Sequence, residues 1–206
     1  METLRRLKSL ADVSTETTPQ NLLFVANDYA RLGNAIKASP PFRSKRDIAA
    51  LAEALRDGTI DIMATDHAPH APAEKAERHA RFSDVPGGLP GVQTLLAVML
   101  HLADRGILTL PDIARLCAAN PAKRFGLDGR KGRITPGADA DIVIVDPARS
   151  LTICNSNQLS KAGATPYAGI TVPYWIERTL LRGETVAVDG IVKEAAIGMV
   201  LRRGDP

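Results

Sequence analysis

Apolar residues recur at helical spacing near the start of the chain. The opening segment METLRRLKSLA predicts one amphipathic helix, because its leucines fall three residues apart, at Leu4, Leu7 and Leu10. The segment SKRDIAALAEALRDG predicts a second helix, with Ser44 as its N-cap and Gly58 as its stop signal. The first prediction rests on periodicity, and the second combines periodicity with end signals.

Two stretches around the second helix have the character of strands. DVSTETTPQNLLFV is rich in β-branched residues and predicts a short strand that runs into a loop at Thr18-Pro19. After the helix, TIDIMATDHAPH predicts a buried strand from Ile60 to Thr65, followed by a polar cluster. The order strand, helix, strand is typical of a parallel α/β unit.

The rest of the chain changes character near residue 130. VQTLLAVMLHLADRG and LPDIARLCAANPAKRFGL predict two further helices, the second beginning near Pro111 and ending near Asn120-Pro121. From Lys131 onward, short alternating patterns in RITPG, ADIVIVDP, RTLLRGETVAVDG and IVKEA predict a small β-subdomain. We therefore expect an α/β part over residues 1–130 and a β part over residues 131–206.

Composition narrows the functional class. The 206 residues are 45% hydrophobic and 24% charged, with a net charge of +3 and only 4% aromatic residues. These values favour a globular fold and give little support to nucleic-acid binding. No apolar stretch is long enough to span a membrane, and the isolated Cys117 and Cys154 are expected to be free thiols of a cytoplasmic protein.

The seven residues ATDHAPH carry the clearest chemical signal. They place Asp66, His67 and His70 directly after the predicted strand, and in α/β barrels this end of a strand carries the catalytic residues. An aspartate in this position is also a common turn or helix-cap residue, and a single histidine is often structural. The residues alone leave both interpretations open.

A wider set of motifs resembles a known family. The ATDHAPH run, the segments NLLF, KASPPFRS and DGTIDIM before it, and PGGLPGVQT, NPAKRFGL and KGRITPGADADIVIVDP after it resemble dihydroorotases, hydantoinases and allantoinases of the amidohydrolase superfamily. The resemblance covers nearly the whole chain. It implies the last two strands of a TIM-type (β/α)8 barrel followed by part of a small β-sandwich subdomain.

The same resemblance implies roles for individual residues. Asp66 matches the aspartate that binds a metal, commonly one of two zinc ions, and shuttles a proton during hydrolysis of a cyclic amide. His70 matches a residue facing the substrate carboxylate, with a structural role as the alternative. Gly87 and Gly88 match a loop whose backbone amides approach the substrate ring; an ordinary glycine turn is the alternative. His67 is expected to be structural.

Two departures weaken specificity for dihydroorotate. Where dihydroorotases usually have TPHH, this chain has TPQN at residues 18–21, closer to hydantoinases. Ser39 stands where the substrate-binding asparagine of an NPPLR motif would be, and Asn34 is out of register with it. The reaction class is unaffected, and hydantoinase or allantoinase activity is the alternative to dihydroorotase activity in pyrimidine biosynthesis.

The remaining metal ligands of the family are missing from this sequence. The resemblance implies an HxH pair on the first barrel strand and further ligands on middle strands, but the histidines here are confined to the last barrel strand and beyond, at His67, His70, His79 and His101. We therefore expect zinc to bind incompletely and the isolated chain to be inactive. It would need the missing N-terminal half, or would serve as a non-catalytic assembly partner; a homo-oligomer is a further expectation.

Overall fold

The structure, a computed structural model, describes residues 1–76, 79–194 and 196–204. The chain folds into two compact α/β units. Unit 1 comprises Met1–Met99 and Thr152–Thr171, and unit 2 comprises Leu100–Leu151 and Val172–Pro206. The boundary between an α/β part and a β part at residue 130 stays a prediction.

Unit 1 is built around a short parallel strand pair. Strand β1 (Glu16–Thr17) pairs with β2 (Ile62–Met63), with Glu16 opposite Ile62 and Thr17 opposite Met63. This confirms the predicted parallel arrangement, but β2 is much shorter than the predicted Ile60 to Thr65. One more hydrogen bond, from the amide of Ala64 to the carbonyl of Thr17, extends the ladder before the backbone turns away.

The helices of unit 1 follow their end signals closely. Helix α1 (Glu2–Lys8) ends before Leu10, which is largely exposed. Helix α4 (Lys45–Arg56) begins after Ser44, whose side chain accepts a hydrogen bond from the Asp47 amide while the Asp47 carboxylate accepts one from the Ser44 amide. This reciprocal cap fixes the start of α4 as the sequence predicted.

Short helices occupy places where the sequence predicted loops. Helix α2 (Gln20–Leu23) follows Pro19, whose fixed φ suits the beginning of a helix, and the side-chain amide of Asn21 donates to the Thr18 hydroxyl at 3.0 Å. The loop predicted after Thr18-Pro19 is therefore wrong at these four residues. The other short helices of unit 1 are α3 (Tyr29–Leu32), α5 (Pro72–Ala76) and the 3₁₀ turns Ala26–Asp28, Gly33–Ile36, Phe82–Asp84 and Asn155–Asn157.

Aromatic rings close the core of unit 1. The ring of Phe24 lies 5.4 Å from that of Phe42 and 6.0 Å from that of Tyr167, between ring centroids. Tyr29 packs on Phe42 at 5.7 Å. The other buried apolar residues of the unit include Leu22, Ile36, Leu55, Ile60, Ile62, Met63, Val85 and Leu89. The buried face of β2 thus anchors the segment that follows it.

The helical part of unit 2 contains a wide turn. Helix α6 (Leu95–Asp104), where the chain passes from unit 1 to unit 2, is followed by α7 (Leu110–Ala114), a π-helical turn (Arg115–Ala119) and α8 (Asn120–Phe125). The predicted helix end at Asn120-Pro121 is wrong. The wide π turn relieves the clash between the Pro121 ring and the preceding turn, so the proline lies in the first turn of α8. Gly126, with φ +68°, ends α8.

The β part of unit 2 is a four-stranded antiparallel sheet. Its strands β3 (Ile142–Asp146), β6 (Trp175–Leu181), β7 (Glu184–Val188) and β8 (Ile191–Val192) lie in that order. Two-residue turns, Arg182-Gly183 and Asp189-Gly190, connect the last three strands, and all four turn residues have positive φ as such tight hairpins require. RITPG, predicted as a strand, is irregular, and the second sheet of a sandwich stays a prediction.

Two smaller features complete the fold. Strands β4 (Leu151–Thr152) and β5 (Thr171–Val172) form a two-stranded sheet, in which the hydroxyls of Thr152 and Thr171 lie 3.0 Å apart. Cys117 and Cys154 are free, as expected. Within the described ranges, none of the helices has the length and apolarity that crossing a membrane requires.

Candidate active site

The candidate site begins where β2 ends. Asp66 has φ +48°, a left-handed backbone conformation that is uncommon outside glycine but tolerated by aspartate. Its side chain is exposed. This turn follows shortly after β2, which ends at Met63, and presents a carboxylate beyond the C-terminal end of the strand. Unusual backbone conformations of this kind concentrate at functional sites.

His67 has a structural environment. Its Nδ1 accepts hydrogen bonds from the amides of Gly91 and Val92, at 3.0 and 3.2 Å. An Nδ1 that accepts two amide protons carries no proton itself, so the neutral ring has its hydrogen on Nε2. His67 therefore pins the end of the glycine loop, defined here as residues 85–91, to the ATDHAPH segment, in agreement with the role expected for it.

The glycine loop lies against the ATDHAPH segment so closely that side chains would not fit. A Cβ on Gly88 would lie 2.5 Å from the carbonyl oxygen of Ala68, and one on Gly91 would lie 2.9 Å from that of Thr65. The amide of Ala68 also donates to the carbonyl of Leu89 at 3.0 Å. The sequence signal PGGLPG thus reflects close backbone approach at Gly88 and Gly91.

The two glycines singled out by the sequence differ in their amides. Gly88 is buried and donates its amide to the carbonyl of Lys37 at 3.0 Å, so that amide is already engaged within the protein. Gly87 is exposed, and a Cβ there would meet only the side chain of Lys37, at 3.2 Å. A backbone contact from this loop to a ligand is therefore expected from Gly87 rather than Gly88.

His70 opens onto a cavity of about 500 Å³. Its side chain is 33% exposed, and its Nδ1 lies 3.4 Å from the carboxylate of Glu74, which also accepts a hydrogen bond from the Ala71 amide. The cavity has mostly apolar walls with a few polar groups, the usual make-up of a small-molecule site. Its lining comprises residues 33–35, His70, Pro72, Lys75, Ala76, Pro90 and residues 164–166.

The structure separates the two polar residues of the KASPPFRS region. Asn34 lines the cavity beside His70, and its side-chain amide is fixed by donation to the carbonyl of Lys75 at 3.0 Å. Ser39 is exposed and is not part of that lining. Asn34, which the sequence placed out of register, thus lines the same cavity as His70, because the 3₁₀ turn Gly33–Ile36 lies against α5.

Lys75 was not recognised from the sequence. It lies in the charge-rich run AEKAERHAR, which is indistinguishable from a solvated helix face, yet it is only 5% exposed. Its ammonium group donates to the carbonyls of Lys37, Ala35 and Asn34 at 3.0, 3.4 and 3.5 Å. No carboxylate among the described residues forms an ion pair with it. A buried cation held by backbone carbonyls is unusual.

Burial makes the charge on Lys75 sensitive to pH. Desolvation, with a smaller contribution from repulsion by Lys37, lowers the pKa of Lys75 from 10.5 to about 8. The unfolded chain keeps the Lys75 proton between these two values while the folded chain loses it, so the free energy of unfolding should rise with pH above about 8. Burial also raises the pKa of Cys117 to about 11, which opposes this trend above about pH 9.

Between about pH 8 and about pH 9, the effect of Lys75 on the free energy of unfolding is therefore expected without the opposing effect of Cys117. There we expect the free energy of unfolding to rise by on the order of 1 kcal/mol in the native chain and to stay flat in Lys75→Met. Urea denaturation across this interval measures it, with Lys161→Met, an exposed lysine of the same unit, as the matched control. Parallel curves for the native chain and Lys75→Met would contradict the prediction.

A complete zinc site is not present within the described ranges. They contain no group of three or more His, Cys, Asp or Glu side chains able to hold a metal ion. Zinc requires about four ligands in fixed geometry, so Asp66 alone does not fit it. No chemical step in this chain is therefore assigned to a metal.

The chain is similar to proteins of one family. The model of the amidohydrolase family matches residues 5–186. The dihydroorotase of Halobacterium salinarum is 44% identical over 171 residues, which is 83% of this chain and 39% of that protein. The dihydroorotase of Syntrophus aciditrophicus is 38% identical over 174 residues, 84% of this chain and 40% of that protein. The chain thus spans about two fifths of the length of these relatives.

The chain is also similar in structure to solved hydantoinases. A D-hydantoinase (dihydropyrimidinase) from Thermus sp. superimposes with a TM-score of 0.91 and 27% identity, over 98% of this chain and 46% of that one. An L-hydantoinase (dihydropyrimidinase) from Arthrobacter aurescens gives 0.85 and 29%, over 98% and 43%. The fold of these neighbours therefore accommodates nearly the whole chain.

Proposed function

This chain belongs to the amidohydrolase family, and we propose that it is the C-terminal part of an enzyme that hydrolyses a cyclic amide, with dihydroorotate as the substrate. In this proposal the chain supplies the last two strands of a TIM-type barrel, β1 and β2, and a portion of a β-sandwich. The identity to dihydroorotases over more than four fifths of the chain supports this assignment.

One observation carries the proposal for the site. The backbone of Ala68 lies against Gly88, which brings the segment bearing Asp66 and His70 together with the glycine loop. Two motifs that are twenty residues apart thus form one surface at the end of β2. In our assignment Asp66 accepts a proton from the attacking water and returns it to the departing amide nitrogen, which is too basic to leave unprotonated.

The other proposed residues bind and orient the substrate. His70 donates a hydrogen bond from its ring to a carboxylate on the substrate, and Gly87 offers its exposed backbone amide to the ring imide. Ser39 remains a proposed contact at the outer edge of the site, although it is exposed. None of these residues reacts, so they are expected to affect affinity more than the chemical step.

Amidohydrolases are typically metal-dependent, and we propose zinc as the metal of the whole enzyme. The described residues of this chain do not hold it by themselves. The remaining ligands would have to come from outside residues 1–206, and we expect these residues by themselves to be inactive for that reason. Without those ligands, the chain could serve only as a non-catalytic assembly partner.

A hydantoinase-type activity is the second candidate. The TPQN segment at residues 18–21 and the structural similarity to the two hydantoinases support it. Gln20 of this segment is buried, accepts a hydrogen bond from the Tyr167 hydroxyl at 3.1 Å, and lies within 3.5 Å of the Thr65 carbonyl. The side chain of Gln20 thus contacts the backbone between β2 and Asp66.

Complementation tests the proposal directly. The N-terminal three fifths of the Syntrophus aciditrophicus dihydroorotase, expressed separately and mixed with this chain and zinc, should form a complex that hydrolyses dihydroorotate. Neither part alone should do so. Parallel assays with a 5-substituted hydantoin and with allantoin separate the candidates. A stable complex with no activity on any of the three substrates would contradict the proposed function.

A further inference from the structure

The buried ammonium group of Lys75 connects α5 to residues 34–37 and, through Lys37, to the glycine loop. Lys75 belongs to α5, which directly follows His70. Its Nζ donates to the carbonyls of Asn34, Ala35 and Lys37, the nearest being that of Lys37 at 3.0 Å. In return, the Asn34 side chain donates to the Lys75 carbonyl at 3.0 Å. Helix α5 is thus tied to residues 34–37 from both its backbone and its side chain.

Lys37 continues the connection to the glycine loop. Its carbonyl, already bound by Lys75, also accepts the amide proton of Gly88 at 3.0 Å. Its own Nζ donates to the Val85 carbonyl at 2.9 Å. Lys37 therefore holds the loop at both Val85 and Gly88, while Lys75 holds the carbonyl on which the second contact depends.

Filling space in the core gives no reason for a charged side chain at residue 75. Removing an ammonium group from water is unfavourable, and an apolar side chain of similar length would fill the same space without that cost. A cation with three donors does what an apolar chain cannot: it fixes the orientation of several carbonyls at once. The carbonyl of Lys37 is the one shared with the glycine loop.

We propose that Lys75 is a positioning residue that couples the segment bearing His70 to the glycine loop through the shared carbonyl of Lys37. The consequence for catalysis rests on the proposed function, but the coupling itself does not. With Lys75 in place, the loop and the His70 cavity keep a fixed relation. Without it, the Gly88 contact loses the group that orients its acceptor.

Hydrogen exchange in the full chain tests the coupling without requiring activity. In Lys75→Met, protection of the Gly88 amide should fall about tenfold or more, because its acceptor is no longer held. Protection of the α4 amides should be unchanged, and Lys161→Met, which removes an exposed lysine, should leave both groups unchanged. A parallel loss at Gly88 and in α4, or no loss at Gly88, would overturn the proposal.

A titration of the native chain gives a second test that does not depend on a variant folding. The Gly88 amide resonance should shift with the same midpoint as the Lys75 ammonium group. The neighbouring titratable groups are Lys37, Glu74 and His70, whereas the glycine loop and residues 164–166 carry none. A Gly88 resonance that stays constant while Lys75 loses its proton would overturn the coupling. Failure of complementation, by contrast, would remove only the proposed function.

Discussion

Replacing Asp66 by asparagine should lower the rate of cyclic-amide hydrolysis in the complemented enzyme by about 10²–10⁴-fold. Asparagine keeps the size of aspartate but cannot accept a proton from the attacking water. It also cannot deliver that proton to the amide nitrogen afterwards. Because both steps pass through the same carboxylate, their loss should appear in kcat rather than in KM.

The backbone conformation at residue 66 allows asparagine to replace aspartate without added backbone strain. With φ at +48°, the position disfavours most residues, but asparagine adopts left-handed backbone at least as readily as aspartate. The variant should therefore fold and associate normally. Alanine at this position would lose the carboxylate and add backbone strain, so its effect on rate would be harder to interpret.

Steady-state kinetics on the complemented pair distinguish proton transfer by Asp66 from substrate binding by His70. Asp128→Asn, which changes an exposed aspartate elsewhere in the chain, should leave kcat unchanged. His70→Ala should mainly raise KM for a substrate with a carboxylate, since it removes a donor to a group that does not react. If Asp66→Asn keeps more than about a tenth of the native kcat, the proton-transfer role assigned to Asp66 is wrong.

The parts of the fold predicted well from sequence are those set by local signals. The Ser44 cap and the leucine spacing located α4 and α1, and the parallel pairing of β1 with β2 followed from the order strand, helix, strand. For the two helices, neighbouring residues suffice to determine the conformation, and for the strand pair the order of elements suffices to predict its direction.

The parts predicted poorly depend on contacts between distant residues. Pro121 suggested a helix end, but the π turn before it removes the clash. Lys75 belongs to a run that looks solvated, and only its approach to residues 34–37, about forty positions away, reveals that it is buried. Asn34 was set aside because sequence register cannot show which side chains border a cavity.

The glycine loop was predicted in part from a local sequence signal, and the rest depends on its contacts with distant residues. PGGLPG indicated a turn or a close approach, but the two glycines could not be told apart by sequence. The structure distinguishes them: a Cβ on Gly88 would lie 2.5 Å from the Ala68 carbonyl oxygen, whereas a Cβ on Gly87 would meet only the Lys37 side chain, at 3.2 Å. The contrast makes the pair a test of how tightly this loop is held.

Gly88→Ala should therefore destabilise the chain by roughly 2–4 kcal/mol, by combining backbone strain at φ +140° with a clash against backbone that cannot rotate away. Gly87→Ala, and Gly129→Ala, where a Cβ would meet nothing within 4 Å, should each cost less than about 1 kcal/mol. Urea denaturation of the three variants measures these differences.

The alanine at residue 88 can be accommodated only if the loop moves away from Ala68, which separates it from the segment bearing Asp66 and His70. The complemented Gly88→Ala enzyme should therefore lose activity even in conditions where it remains folded. If Gly88→Ala and Gly87→Ala prove equally stable, the close approach of Gly88 to Ala68 does not restrict the side chain at residue 88.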